Sequence, residues 1–195
     1  MHNVLWLLAT PRVALRRLLM TQPIGLGLFV LVAGQLSCSF AKFLATNGSG
    51  AALSILDAVF NGGLALACIF IGTAFFHLYA TMLGGRGNPG QLFWGLMVSA
   101  APWLLATPLT IALLALNTRV PEVFHLALFV GVITLAAWSV GLKAYVISSL
   151  YNLSGSGGLF VFFVGIGSAL VLASAAVFCS GMAGAVWMAA MASAS

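Results

Sequence analysis

The scarcity of charged residues constrains this chain more than any motif in it. Its 195 residues carry nine formal charges, seven on Lys or Arg and two on Asp or Glu. Five long stretches contain no charged side chain, namely 18–41, 58–85, 87–118, 123–142 and 144–195. A helix that rises about 1.5 Å per residue needs roughly 20 apolar residues to cross the ~30 Å hydrocarbon core of a bilayer. Each stretch is long enough, so the sequence predicts an integral membrane protein.

The composition narrows the fold class further. Hydrophobic residues make up 63% of the chain and charged residues 5%, whereas a soluble domain has about 25% charged residues. In hydrocarbon every backbone N–H and C=O must be paired within the protein, which leaves a helix bundle or a closed barrel. The apolar runs lack the in-and-out alternation of barrel strands. We therefore predict an all-α, polytopic transmembrane helix bundle with five membrane-spanning helices.

Charges, glycines and prolines give the boundaries of the spans. The predicted spans are 23–44, 57–83, 91–116, 123–149 and 159–181. The second begins near Asp57, since a carboxylate is favourable at a helix N-terminus, and it ends before the glycine-rich stretch 84–90. Residues 1–22 are predicted to be an N-terminal cytoplasmic segment, either an interfacial amphipathic helix or a plain basic flank. Residues 23–181 form the transmembrane domain, and 182–195 a C-terminal tail or an extension of the last helix.

The positive charges predict an orientation. Five spans place the two termini on opposite sides of the membrane. With the N-terminus in the cytoplasm, that side holds Arg12, Arg16, Arg17, Arg86 and Lys143, and the other side holds Lys42 and Arg119. Five against two follows the positive-inside bias. The C-terminus is therefore expected outside.

Several short motifs follow one another between about residues 75 and 178. They are 77–87 (HLYATMLGGRG), 91–93 (QLF), 100–105 (AAPWLL), 138–143 (WSVGLK) and 154–157 (SGSG). In order and spacing they resemble the Yip1 family of membrane proteins. Members of that family typically show a span that ends in a Gly-Gly-x-Gly turn, a polar step into the next span, and a proline in the middle of that span.

The resemblance implies a five-span fold with a cytosolic N-terminus, as the charge count does independently. Eukaryotic members act in vesicle traffic between endoplasmic reticulum and Golgi and associate with Rab-type GTPases, generally through a longer cytosolic N-terminal region. This chain has only about twenty residues before its first span. It therefore resembles a bacterial member, located in the inner (plasma) membrane, and a GTPase partner is not expected.

Ionisable residues inside membrane spans are costly and often functional, and His77 and Lys143 are the candidates considered. His77 lies near the cytoplasmic end of the second span, and Lys143 lies at a similar depth in the fourth. Together with Tyr79, Arg86 and Tyr145 they could form a positively charged pocket for a lipid headgroup, because basic pockets between membrane helices bind anionic lipids. The alternative is that His77 and Lys143 snorkel to the interface beside aromatic residues.

Prolines and glycines mark the expected irregularities. Pro102 and Pro108 lie within the third span, where each removes a backbone hydrogen bond, so we expect a kink there. A transporter-like hinge is disfavoured, because no second interrupted span completes an inverted repeat. Gly84, Gly85 and Gly87 predict a tight turn between the second and third spans.

Four polar residues inside the spans are candidates for hydrogen bonds between helices. They are Gln35, Ser37, Thr73 and Ser99. Such bonds contribute on average about 0.6 kcal/mol each in membrane proteins. A structural role is the default interpretation for all four.

The inventory of reactive residues argues against catalysis. Asp57 and Glu122 are the only acidic side chains, both are predicted on the non-cytoplasmic side, and they form no visible acid–base pair. Histidines and cysteines show no metal-ligand spacing. We expect no enzymatic activity, no cofactor and no metal. The positive charges form no continuous stripe, so no nucleic-acid partner is expected either.

The sequence therefore leads to three hypotheses of function. The first is a Yip1-like integral membrane protein that binds lipids or membrane partners in membrane organisation or trafficking, as a homo-oligomer or within a larger complex. The second is a small transport subunit or channel-like protein that uses His77 and Lys143 around the kinked third span. The third is an accessory subunit of a larger membrane complex.

The orientation can be tested with reporter fusions in a bacterial host. A fluorescent protein fused to the N-terminus should fold in the cytoplasm, and alkaline phosphatase fused to the C-terminus should be active outside it. Cysteine labelling of the 84–90 turn provides a control, because this turn should be protected in intact cells. Both fusions reporting the same compartment would contradict an odd number of spans.

Overall fold

The computed structural model describes residues 24–45, 51–117, 121–172 and 174. The predicted segments 1–22 and 182–195 lie outside these ranges. Within them the secondary structure is helical and contains no strand. The elements are α1 (Ile24–Ala45), α2 (Ala51–Met82), α3 (Pro89–Val98), a 3₁₀ helix (Ala101–Leu105), α4 (Ala106–Asn117), α5 (Pro121–Tyr151) and α6 (Gly155–Leu172).

Five spans in the described part of the chain are long and apolar enough to cross a membrane. They are α1, α2, the combined α3, 3₁₀ helix and α4, then α5 and α6. The predicted fold class, an all-α bundle of five spanning helices, is confirmed.

The helix α2 begins at Ala51, before Asp57, but its membrane-spanning part, Ala58–Met82, agrees with the predicted span 57–83. One start differs from the prediction by several residues. α6 begins at Gly155 rather than near 159. In α6 the reason is a cap: Ser154 Oγ accepts a hydrogen bond from the Gly157 N–H at 3.1 Å, which is the contact that starts a helix. The Ser- and Gly-rich composition of this stretch had predicted a longer loop.

The third span lies at the centre of the bundle. α1, α2 and α5 all pack against it. Half of its most apolar stretch is buried, against 11% to 28% of the other four spans. Every residue from 94 to 102 is buried, so this part of the span is enclosed on all sides, as expected for a helix that is apolar all round.

Pro102 accompanies a break in this central span. α3 ends at Val98, and the chain continues as a 3₁₀ helix. The Trp103 N–H bonds the Ala100 carbonyl at 3.0 Å, three residues back, whereas an α-helix would use the Ser99 carbonyl four residues back. The Ser99 carbonyl is thereby released, and it accepts a hydrogen bond from Ser139 Oγ of α5 at 3.1 Å.

Pro108 lies in the first turn of α4, where a proline is well tolerated. It has no N–H to give to the Leu104 carbonyl, and Ser37 Oγ of α1 donates to that carbonyl instead, at 3.1 Å. Ser37 Oγ also accepts from the Thr107 N–H at 3.1 Å, and the Thr107 hydroxyl donates to the Ser37 carbonyl at 2.8 Å. Hydroxyl groups of α1 and α5 thus replace bonds that the central span lacks.

α6 packs against α2 through aromatic and small residues. The Phe76 and Phe162 rings stack with centroids 5.6 Å apart. Gly165 lies so close to the Phe76 ring that a Cβ at this position would collide with it. This close approach packs α6 against the C-terminal half of α2.

The replacement of the missing bond at Pro108 can be tested with a double-mutant cycle. Ser37→Ala should lower the melting temperature in detergent, because it leaves the Leu104 carbonyl without its donor at a cost of about 1–3 kcal/mol. Pro108→Ala restores a backbone N–H four residues after Leu104. In that background the effect of Ser37→Ala should be smaller.

Ser174→Ala is the matched control. The Ser174 hydroxyl is exposed and bonds the Leu170 carbonyl within its own helix, so its loss should leave the melting temperature unchanged. Equal effects of Ser37→Ala in both backgrounds would show that Ser37 does not substitute for the proline N–H.

Candidate functional site

The turn after α2 is closed by two glycines. Gly84 has a φ of +83°, a left-handed conformation that favours glycine. The Gly84 N–H bonds the Thr81 carbonyl at 2.9 Å, and the Gly85 N–H bonds the Ala80 carbonyl at 2.9 Å. This pair of bonds is a Schellman cap, which satisfies the last carbonyls of α2.

The same turn rests on Tyr151, the last residue of α5. A Cβ added to Gly85 would lie 2.8 Å from the Tyr151 Cβ, and one added to Gly87 would lie 2.8 Å from the Tyr151 ring. Tyr151 is only 1% exposed. Arg86, between the two glycines, is exposed at this surface.

His77 connects α2 to the same tyrosine. His77 Nδ1 lies 2.5 Å from the Tyr151 hydroxyl oxygen, and the two ring centroids are 5.7 Å apart. Sequence reasoning had placed Tyr151 in a loop and missed it as a partner. Since α5 continues through Tyr151, the ends of α2 and α5 lie at the same level.

Tyr79 makes a separate contact with α6. Its hydroxyl oxygen lies 2.6 Å from Ser168 Oγ. Ser168 Oγ also donates to the Val164 carbonyl at 2.9 Å, so Tyr79 is the donor in this pair. Thr73, a predicted interhelical residue, instead bonds the Ile69 carbonyl of its own helix at 2.7 Å.

Lys143 belongs to a chain of polar groups between α5 and α3. Its ammonium donates to Ser139 Oγ at 2.5 Å, and Ser139 donates in turn to the freed Ser99 carbonyl. Ser139 and Ser99 are buried, and Lys143 is half-buried. The ammonium points one helical turn away from the Tyr151 end, because side chains on a helix lean toward its N-terminus. This direction is opposite to the one that snorkelling toward that end requires.

Both acidic residues of the sequence lie far from Lys143 along their helices. Glu122 precedes it by 21 residues on α5, a separation of about 30 Å along the helix. Asp57 is near the start of α2, and its helical position puts it about 26 Å further from the level of Tyr151 than Lys143 is. The ammonium has three donor hydrogens, and Ser139 accepts one of them.

A polar cleft of about 670 Å³ lies on a different face of α5, beside the start of α6. At roughly 100° per residue, Gly141, Tyr145 and Ser148 project about 140–160° away from Lys143 around the helix. The lining residues that the structure describes are uncharged, and most are small or polar. They are Gly141, Ala144, Tyr145, Ser148, Ser149, Asn152, Leu153, Gly155 and Leu159.

The five residues predicted to form one pocket therefore have different surroundings. His77 contacts Tyr151, Tyr79 contacts Ser168, and Lys143 contacts Ser139. Tyr145 lines the cleft, and Arg86 is exposed on the turn. Of the partners that the sequence analysis missed, Ser139 could have been predicted, since it lies four residues before Lys143 and therefore on the same helix face.

Metal binding among the described residues and similarity to known proteins do not identify a function for this site. Within the described ranges, no three His, Cys, Asp or Glu residues are grouped so that they could hold a metal ion. No protein-family model, curated protein or solved structure matches the chain.

The contact between the turn and Tyr151 can be tested by adding single methyl groups. Gly87→Ala should lower the melting temperature, because its Cβ collides with the buried Tyr151 ring and overpacking of this kind costs about 1–3 kcal/mol. Gly63→Ala, at a helical position with open space around it, should be neutral or slightly stabilising. A Gly87→Ala protein that melts like the Gly63→Ala protein would contradict the packing described.

Proposed function

We propose that this chain is a Yip1-like, non-enzymatic integral membrane protein that binds an anionic lipid headgroup through Lys143. The proposed location is the bacterial inner membrane, with the N-terminus in the cytoplasm and the C-terminus outside. Membrane lipids are the expected partners, within a homo-oligomer or a larger membrane complex that serves membrane organisation or trafficking. The family assignment is supported by the motifs between residues 75 and 178.

The observation that supports lipid binding is that the Lys143 ammonium bonds a neutral hydroxyl and has no anionic partner among the side chains that the structure describes. A cation inside a membrane-spanning helix is costly unless an anion or several hydrogen-bond acceptors stabilise it. Ser139 supplies one neutral acceptor, and the two acidic residues lie about 26–30 Å away along the helices. An anionic headgroup would stabilise the ammonium at this position.

The depth of Lys143 favours a lipid headgroup as that ligand. α5 has 31 residues and is about 46 Å long, which exceeds the ~30 Å hydrocarbon core by about 8 Å at each end if the helix is centred. Lys143 lies eight residues before Tyr151, so its Cα is only about 4 Å inside the boundary of the hydrocarbon. Because the ammonium turns inward to Ser139, the flexible side chain must turn toward that boundary to meet a lipid phosphate. A charge-assisted bond to phosphate is roughly twice as strong as one to a neutral hydroxyl, which favours this exchange.

Native mass spectrometry of the purified protein tests this proposal. The wild type should retain phosphatidylglycerol in preference to zwitterionic phosphatidylethanolamine. Lys143→Met should weaken phosphatidylglycerol binding about tenfold to a hundredfold, the loss expected for one hydrogen bond to a charged group. Lys143→Arg should keep most of the binding because it keeps the charge.

Lys42→Met is the matched control, because Lys42 is exposed near the C-terminal end of α1. It should retain the lipid as the wild type does. Unchanged phosphatidylglycerol binding in a folded Lys143→Met protein would reject the proposal. Ion flux through wild-type liposomes that Lys143→Met abolishes, with no lipid preference, would instead support the transport hypothesis.

A further inference from the structure

The cleft between α5 and α6 is a structural feature that the Lys143 site does not use. It is shaped by a sharp turn at Asn152, whose φ is 53°, and by the cap at Ser154 that starts α6 immediately afterwards. Its volume of about 670 Å³ is in the range of small-molecule sites, roughly 300–1,000 Å³. At Gly141 and Gly155 no atom lies within 4 Å of an added Cβ, so both borders of the cleft are open.

The lining offers hydrogen bonds without charge. Ser149 contributes a hydroxyl and Asn152 an amide, and each group both donates and accepts. The Ser148 hydroxyl donates to the Ala144 carbonyl at 2.8 Å, which leaves its oxygen able to accept. The Tyr145 side chain adds an aromatic surface with a polar end.

The cleft also runs from the level of the membrane surface toward the hydrocarbon. Asn152 comes directly after the end of α5, at the level of the α2–α3 turn, whereas Gly141 is about 15 Å deeper along the helix. Leu159 lines the wall that α6 provides. An elongated amphiphile with its head at Asn152 and its chains toward Gly141 matches this arrangement.

The described residues that line the cleft carry no charge, and this favours one kind of head. A phosphate placed among them would lose its hydration without gaining a cation from this lining, which is unfavourable. Lys143 projects from a different face of α5, and Arg86 lies on the α2–α3 turn rather than among the residues that line the cleft. A head with several hydroxyl groups can exchange its water for the serine and asparagine groups at little cost.

We propose that this cleft binds a membrane lipid with an uncharged polyhydroxyl headgroup, such as a sugar-linked diacylglycerol. The site is separate from the anionic-lipid site at Lys143, and it does not depend on membership of the Yip1 family. It gives the protein two lipid sites of different chemistry on two faces of one helix.

The experiment is a titration of the purified full-length protein with monoglucosyl-diacylglycerol, followed by native mass spectrometry. Gly141→Leu fills the cleft, and Ser149→Leu both fills it and removes a hydroxyl. Each should weaken glucolipid binding about tenfold or more, while phosphatidylglycerol binding and the melting temperature stay as in the wild type.

Gly167→Leu is the control for the added bulk, since Gly167 also faces open space on α6 but does not line the cleft. It should bind the glucolipid normally. Lys143→Met should also bind the glucolipid normally. This variant therefore distinguishes a failure of the glucolipid proposal from a failure of the anionic-lipid proposal.

Two results would overturn the inference. One is equal glucolipid affinity in the wild type, Gly141→Leu and Ser149→Leu proteins, which would place any binding elsewhere. The other is loss of phosphatidylglycerol and glucolipid binding together in Gly141→Leu, which would show that the cleft does not select an uncharged head.

Discussion

The absence of water in the hydrocarbon core governs this structure, because it obliges every backbone polar group to find a partner inside the protein. The central span cannot meet this requirement alone, because its two prolines and 3₁₀ segment leave the Ser99 and Leu104 carbonyls without their α-helical N–H donors. It is acceptable only because neighbouring helices complete it. Ser37 of α1 supplies a donor to the Leu104 carbonyl, and Ser139 of α5 supplies one to the Ser99 carbonyl. These two contacts join α1 and α5 to the third span.

The same requirement explains why the candidate polar residues are distributed rather than gathered. Polar side chains of different helices pair with one another at separate places in the bundle, as Tyr79 with Ser168 and His77 with Tyr151. Lys143 is the exception, because its charge exceeds what the hydroxyl of Ser139 can stabilise. An ionisable residue whose charge the protein stabilises incompletely is a candidate for binding a ligand.

Much of the fold could be predicted from the sequence, because charge-free length determines what can span a bilayer. The class of fold and the number of spans came from that pattern. The start of α2 at Ala51 did not, since a carboxylate at Asp57 marks a favourable helix start without requiring one. The start of α6 was missed because a single serine cap outweighed a loop-like composition. Pro102 and the glycines of 84–87 were identified from local chemistry, and they lie at irregular backbone in the structure.

The candidate site was less predictable, because contacts between helices depend on rotation about each helix axis. His77, Tyr79 and Lys143 were chosen for their chemistry and their depth in the membrane, both of which follow from residue type and position in the chain. The sequence could not identify their partners Tyr151, Ser168 and Ser139, because these contacts depend on which face of each helix points into the bundle. Helices of low amphipathicity give little indication of that face. The direction of the Lys143 side chain follows from the tilt of the Cα–Cβ bond toward the helix N-terminus, so it is predictable as soon as residue 143 is assigned to a helix.

The position of the broken span in the chain order has a consequence for biogenesis. Synthesis proceeds from the N-terminus, so α1 is already present when the third span enters the membrane, whereas α5 is made afterwards. The Leu104 carbonyl can meet Ser37 at once, but the Ser99 carbonyl must wait for Ser139. Until the fourth span is made, the Ser99 carbonyl lacks the Ser139 donor that satisfies it in the complete bundle.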